Sequence, residues 1–171
     1  MFTFAIIVKN LNRVYLSLGS NAGDRAVMLQ QAMNELNRSG EVLQVSTVYE
    51  TAAWGNTDQP NFLNLVLLMQ TKQSAIHFMN ELIAIETGMG RVRDKKWEPR
   101  IIDLDILFFN DEVINEKELM VPHPFLHERR FVLEPLAEIA PHLQHPVLKK
   151  EVLQLLHECS DSLKVNRLAH A

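Results

Sequence analysis

Residues 13–19 alternate between polar and apolar side chains, the period of a β-strand. Ser20-Asn21-Ala22-Gly23-Asp24 is turn chemistry. Met28, Leu29, Ala32, Met33 and Leu36 then recur at helical spacing, and Ser39-Gly40 closes that helix. Residues 42–51 predict a second strand with Leu43, Val45, Thr47 and Tyr49 on one face. A loop over 52–61 leads to a third strand at 62–71, apolar on both faces and therefore central. Residues 74–87 predict a second helix with Ile76, Met79, Leu82 and Ile83 on its stripe, stopped by Gly88 and Gly90. A fourth strand occupies 100–109, followed by a turn at 110–112 and a short strand at 113–114. Helices are predicted over 127–139 and 147–159, separated by Pro141 and Pro146. The order β-α-β-β-α-β resembles a ferredoxin-like core. It predicts an α+β fold with a mostly antiparallel sheet, helices on one face and additional C-terminal helices.

The fourth strand carries the chemistry. Alternation places Ile102, Leu104, Ile106 and Phe108 on one face, and Asp103, Asp105, Leu107 and Phe109 on the other. Two carboxylates on a largely buried strand are costly unless compensated. Mg²⁺, which prefers carboxylate oxygens and retains waters and substrate phosphates, is a natural compensation. The plain alternative is a solvated face of an edge strand, and paired aspartates also serve glycosyltransferases. Just before the strand, residues 91–100 hold five cations against two anions. Metal-binding carboxylates beside a cationic loop point to phosphoryl transfer from a nucleotide.

Composition narrows the classes. The 171 residues fit one domain, with 47% apolar content and a net charge of −4, against the basic balance of a general nucleic-acid binder. One cysteine, Cys159, excludes a disulfide framework and fits a reducing cytoplasm. No apolar run approaches a membrane span of about 20 residues. Residues 1–12 read as an N-terminal extension, and 13–171 as a single domain. Among further candidates, Glu86 continues the apolar stripe of its helix, or is a helix-end residue turned to solvent. Asn64 shares a strand face with Phe62, Val66 and Leu68, where an amide can read a heterocycle or bond a neighbouring loop. Trp97 lies in the cationic loop, and His123 is fixed between Pro122 and Pro124. Glycines 88 and 90 supply the hinge a closing loop needs.

The chain resembles the 6-hydroxymethyl-7,8-dihydropterin pyrophosphokinases of folate biosynthesis. Five stretches carry the resemblance: Leu18-Gly19-Ser20-Asn21; Gln59-Pro60-Asn61-Phe62-Leu63-Asn64; Gly90-Arg91-Val92-Arg93; Trp97-Glu98-Pro99-Arg100-Ile101-Ile102-Asp103-Leu104-Asp105; and Val121-Pro122-His123-Pro124. Pro135-Leu136-Ala137-Glu138-Ile139-Ala140-Pro141 completes it. The resemblance implies transfer of diphosphate from ATP to the pterin hydroxymethyl oxygen, releasing AMP, with two Mg²⁺ ions on Asp103 and Asp105. It assigns Arg91 and Arg100 as catalytic phosphate-holding residues. Glu86, Arg93, Trp97, His123 and Arg129 fall on the ATP side. Thr51, Phe62, Asn64 and Phe131 fall on the pterin side, the two rings stacking on the pterin.

A cytoplasmic monomer is expected, passing its product to a dihydropteroate synthase. Two departures stand out: Glu98 where a small residue usually precedes Pro-Arg, and Ala52-Ala53 in place of a more proline-rich pair. The rival readings are another Mg²⁺-dependent transferase and a non-catalytic module touching RNA. The first leaves Phe62, Asn64 and Phe131 unexplained together; the second is opposed by the net charge and by two aspartates that would repel phosphates without metal.

Overall fold

The structure, a computed structural model, describes residues 11–53, 59–91 and 99–168. Its centre is a pair of long strands, β1 (Asn12–Ser20) and β4 (Phe62–Thr71), antiparallel from Asn12 opposite Thr71 to Ser20 opposite Leu63. Both faces of each are buried over most of their length, as inner strands require. β5 (Asp103–Phe109) flanks β1, while β2 (Glu41–Val45), β3 (Tyr49–Thr51) and β8 (Val165–Arg167) complete the sheet beyond β4. All the pairings are antiparallel. A separate short ladder joins β6 (Ile114–Asn115) to β7 (Met120–Val121).

One face of the sheet is covered by α1 (Arg25–Ser39) and α2 (Ala75–Gly88). The Asp24 side chain caps α1 by accepting the Val27 N–H at 3.2 Å. Leu29, Ala32 and Leu36 of α1, with Phe78 and Leu82 of α2, meet Val14, Leu16, Leu18, Leu65, Leu67 and Leu104 in one core. The other face is covered by α3 (Arg130–Ile139) and α4 (Val152–Glu158). Val132, Leu133, Leu136, Val152 and Leu155 pack there on Tyr15, Val66, Leu68, Leu107 and Phe108. Helices on one face only was therefore an incomplete expectation: the C-terminal helices form a second layer, which the two-sided apolar pattern of β4 demands. No helix among the described residues is long and apolar enough to cross a membrane.

Four local departures arise where pairing or backbone conformation overrides side-chain periodicity. In β5 the register slips: Leu16 faces Ile106 but Tyr15 faces Phe108. Leu107 is the extra residue of a bulge, which reverses the alternation behind it. Phe108 therefore joins the α3 side with Leu107, and Phe109 turns to the α1–α2 side, the reverse of the expected faces. The single strand expected over 42–51 is two strands, broken where the Ser46 N–H and hydroxyl bond the Val66 backbone. Leu43 and Val45 are exposed, whereas Thr47 and Tyr49 turn inward to Glu138. The helix over 127–139 is a 3₁₀ turn at Leu126–Glu128 followed by α3, separated by the extended backbone of Arg129. The last helix starts at Val152 rather than 147, because the buried His145 Nδ1 accepts the N–H groups of Val147 and Leu148 and holds a turn there.

Candidate active site

Register builds the site before any loop is considered. Gly19 of β1 lies opposite Asn64 of β4 on one side and Asp103 of β5 on the other, and Tyr49 of β3 lies opposite Asn64. Directly opposed residues share a face. Tyr49, Asn64, Gly19 and Asp103 thus form a row across four strands on the α3 side. A Cβ on Gly19 would stand 2.9 Å from Asn64 Oδ1 and 3.6 Å from the Phe62 ring. The missing side chain leaves a notch between an amide and a carboxylate. Asn64 is buried, and its Nδ2 donates to Thr51 Oγ1 at 2.8 Å. Thr51 in turn lies opposite Phe62, so the structure gathers three of the four residues assigned to the pterin.

The carboxylate end is held by cations. Arg91 reaches one oxygen of Asp103 at 2.6 Å, and Arg100 bonds the other. Gly90, at φ +93°, turns the chain sharply off α2, and the Arg91 N–H bonds back to the Glu86 carbonyl at 2.9 Å. The Arg91 guanidinium pairs with the Glu86 carboxylate, which is 1% exposed and also accepts the Leu104 N–H at 2.8 Å. Glu86 is thus not turned to solvent; it fixes both the strand and the arginine. A relay Glu86–Arg91–Asp103–Arg100 alternates charge across the site, and a buried charge must be paired in this manner.

Asp105, two residues along, lies opposite Ser17 on the same face. Burial and the neighbouring Asp103 push its carboxyl up from 3.8 to about 7, with Arg129 pulling the other way. Arg129 lies 5.5 Å from the Phe125 ring and 5.8 Å from the Phe131 ring, so aromatic faces steady the charge that faces the aspartates. Burial, aided by Arg129, pushes His123 down to about 4, so its ring is neutral near pH 7. Its Nδ1 accepts the Phe125 N–H at 3.2 Å, leaving Nε2 as the N–H that can donate to an anion.

Asp103, Asp105, Arg91, Arg100, Glu86, His123 and Arg129 therefore converge at one end, and Thr51, Phe62 and Asn64 at the other. Phe131 opens α3 beside Arg129. Arg93, Trp97 and Glu98 lie outside the described residues. Among the described residues no group of three or more His, Cys, Asp or Glu side chains is arranged to hold a metal ion by itself. Sequence reasoning missed Gly19 as a site residue. It stands in the Leu18-Gly19-Ser20-Asn21 stretch, which was the available signal.

Paired carboxylates gripped by arginines suit phosphoryl transfer, a chemistry that runs on positioning and charge stabilisation. Residues 15–141 match the family described as 7,8-dihydro-6-hydroxymethylpterin-pyrophosphokinase (HPPK). A 2-amino-4-hydroxy-6-hydroxymethyldihydropteridine pyrophosphokinase of Aquifex aeolicus is 44% identical over 145 residues, 85% of this chain and 91% of its own. That of Bacillus subtilis is 41% identical over 145 residues, 84% and 87%. The crystal structure of Plasmodium falciparum HPPK-DHPS wild type with pteroate shares the fold at a TM-score of 0.71 and 18% identity, over 87% of this chain and 42% of that one. The chain belongs to the HPPK family and is a diphosphokinase of folate biosynthesis. Its reaction moves the terminal diphosphate of ATP onto the hydroxymethyl group of 6-hydroxymethyl-7,8-dihydropterin and leaves AMP.

Proposed function

We propose that Asp103 and Asp105 bind two Mg²⁺ ions together with ATP, and that the arginines now gripping Asp103 are handed to the phosphates. The residues fit the metal. Their donors are hard oxygens, and the raised Asp105 carboxyl marks negative charge that the protein alone does not compensate. A pair of protein carboxylates suits ions that complete their shell with phosphate oxygens and water. When bound, the ions supply charge neutralisation of the triphosphate and in-line orientation at its β-phosphorus.

The protein's own part is positioning. Arg100 and Arg91 offer planar donor forks to phosphate oxygens that gain charge in the transition state. Glu86, which the resemblance sets on the ATP side, acts by keeping Arg91 aimed. The neutral His123 donates from Nε2 and Arg129 adds fixed positive charge, both toward the nucleotide. Arg93 and Trp97 are assigned to ATP by the resemblance alone. On the other side of the Gly19 notch, Asn64 reads the pterin edge, Thr51 orients the Asn64 amide, and Phe62 and Phe131 stack on the ring. The notch brings the hydroxymethyl oxygen toward the phosphate side without a side chain between them.

A monomer is the proposed working unit. The product would pass to a dihydropteroate synthase. The Plasmodium HPPK-DHPS and the "Folic acid synthesis protein fol1" of Schizosaccharomyces pombe, 40% identical over 144 residues and only 20% covered, support that link. The observation that carries this reading is the row Asn64–Gly19–Asp103 across adjacent strands. It is tested by incubating the protein with ATP, Mg²⁺ and the dihydropterin and separating the nucleotides. AMP formed only with both pterin and metal is expected; ADP, or AMP without pterin, overturns it.

A further inference from the structure

The buried Asn21, just past the end of β1, is 1% exposed and uses its amide in two directions. Its Oδ1 accepts the Arg100 N–H at 2.6 Å, and its own N–H donates to the Arg100 carbonyl at 3.0 Å. Its Nδ2 donates to Gln59 Oε1 at 3.1 Å and to the Pro60 carbonyl at 3.2 Å. Arg100 ends the cationic segment and grips Asp103. Gln59 and Pro60 end the loop that enters β4 just before Phe62 and Asn64. The Asn61 carbonyl in that stem is also held, by Arg25 at 2.7 Å, and Arg25 pairs with Glu50 of β3 at 2.8 Å. One primary amide thus ties the nucleotide-side stem to the pterin-side stem. Both of its functions, acceptor and donor, are consumed in doing so.

Only Asn meets this geometry among residues of its size. Asp would keep the acceptor toward Arg100 but would present an oxygen to two carbonyl oxygens on the pterin side. It would hold one stem and release the other. Ligands that order one stem alter the entropy of ordering the other only if the two are joined.

We propose that Asn21 is a positioning residue that couples the two substrate subsites, so that nucleotide bound at Asp103 and Arg100 pre-orders the pterin side and the reverse. This rests on the assignment of the two subsites above. Because coupling is reciprocal, it can be read from either ligand.

The test uses the full chain and calorimetric titration of 6-hydroxymethylpterin, with and without Mg²⁺ and an α,β-methylene analogue of ATP, whose α–β link cannot be broken to release AMP. In the wild type the analogue is expected to tighten pterin binding by about tenfold or more. In Asn21→Asp each ligand alone should bind within about threefold of wild type, while the enhancement falls below about twofold. In turnover, kcat should drop about 100-fold with the KM for ATP moved less than about threefold, the mark of misplacement rather than lost binding. Gln59→Ala, at a half-buried position, removes one acceptor and should cut the enhancement by about threefold. It keeps the question answerable if Asn21→Asp does not fold. An enhancement unchanged in the folded variants, or absent from a wild type that binds both ligands, overturns the coupling. A wild type that binds neither ligand overturns instead the subsite assignment on which it rests.

Discussion

Replacing Asp105 by Asn should stabilise the ligand-free protein above neutral pH while abolishing turnover. Burial and Asp103 raise the Asp105 carboxyl from 3.8 to about 7 in the folded chain, and the opposing pull of Arg129 is already included in that value. The folded state therefore holds this proton more tightly than the unfolded chain does. Stability from this group is present at about pH 4, is lost as pH rises towards about 7, and stays flat beyond. The rise corresponds to about 4 kcal/mol. An Asn carries no charge to desolvate, so Asp105→Asn should lack that decline. At pH 8 the variant should melt roughly 10 °C above wild type, at a few degrees per kcal/mol for a chain of this size. At pH 4 the two should nearly coincide. The assay is a thermal melt followed by circular dichroism across pH 4–8, with and without Mg²⁺ and the methylene analogue of ATP. Those ligands should raise the wild-type melting temperature more at pH 8 than at pH 5, because they relieve the carboxylate pair. The variant should show no such pH-dependent gain. A variant no more stable than wild type at pH 8 would refute the reasoning, since Asp105 would then carry no uncompensated charge.

Three further outcomes are expected. Arg100→Ala should lower kcat by about 100- to 1000-fold with the KM for ATP changed less than about fivefold, as for a donor used chiefly in the transition state; steady-state kinetics decide, and a pure KM effect would place Arg100 in ground-state binding. Gly19→Ala puts a Cβ 2.9 Å from Asn64 Oδ1 and must displace the amide from Thr51, so the pterin KM should rise about tenfold with the ATP KM unmoved. Tyr49 donates to Glu138 at 2.8 Å, and burial followed by that carboxylate pushes its phenol up to about 12. Tyr49→Phe should cost about 1–2 kcal/mol in a urea melt while kcat stays within about twofold, because the bond ties β3 to α3 rather than touching substrate.

Much of this was legible from residue order. The 2-residue period of β1, the two-sided apolar run of β4 and the helical stripes of α1 and α2 are properties of neighbouring residues, and they point to the antiparallel core. The sharing of one face by Asp103 and Asp105 is equally local, since i and i+2 on a strand point the same way whatever surrounds them. The cationic character of residues 91–100 and the pterin-side trio Thr51, Phe62 and Asn64 could likewise be picked out, the latter through family resemblance.

What residue order could not decide was set by partners far along the chain. The bulge at Leu107 depends on the register against β1, and it sends Phe108 to the opposite core from the one alternation assigns. The burial of Glu86 under β5 exists only because Leu104 and Arg91 come to its carboxylate. The raised Asp105 carboxyl needs the burial that packing brings and the neighbouring Asp103, against the pull of Arg129 from the start of α3. Asn21 and Arg100 are separated by 79 positions, and nothing in a turn sequence announces that one amide will hold two distant stems. Periodicity encodes which way a side chain points relative to its neighbours along the chain. Hydrogen-bond satisfaction and charge in a dry site depend on which segments meet across space, and the tertiary structure alone chooses those.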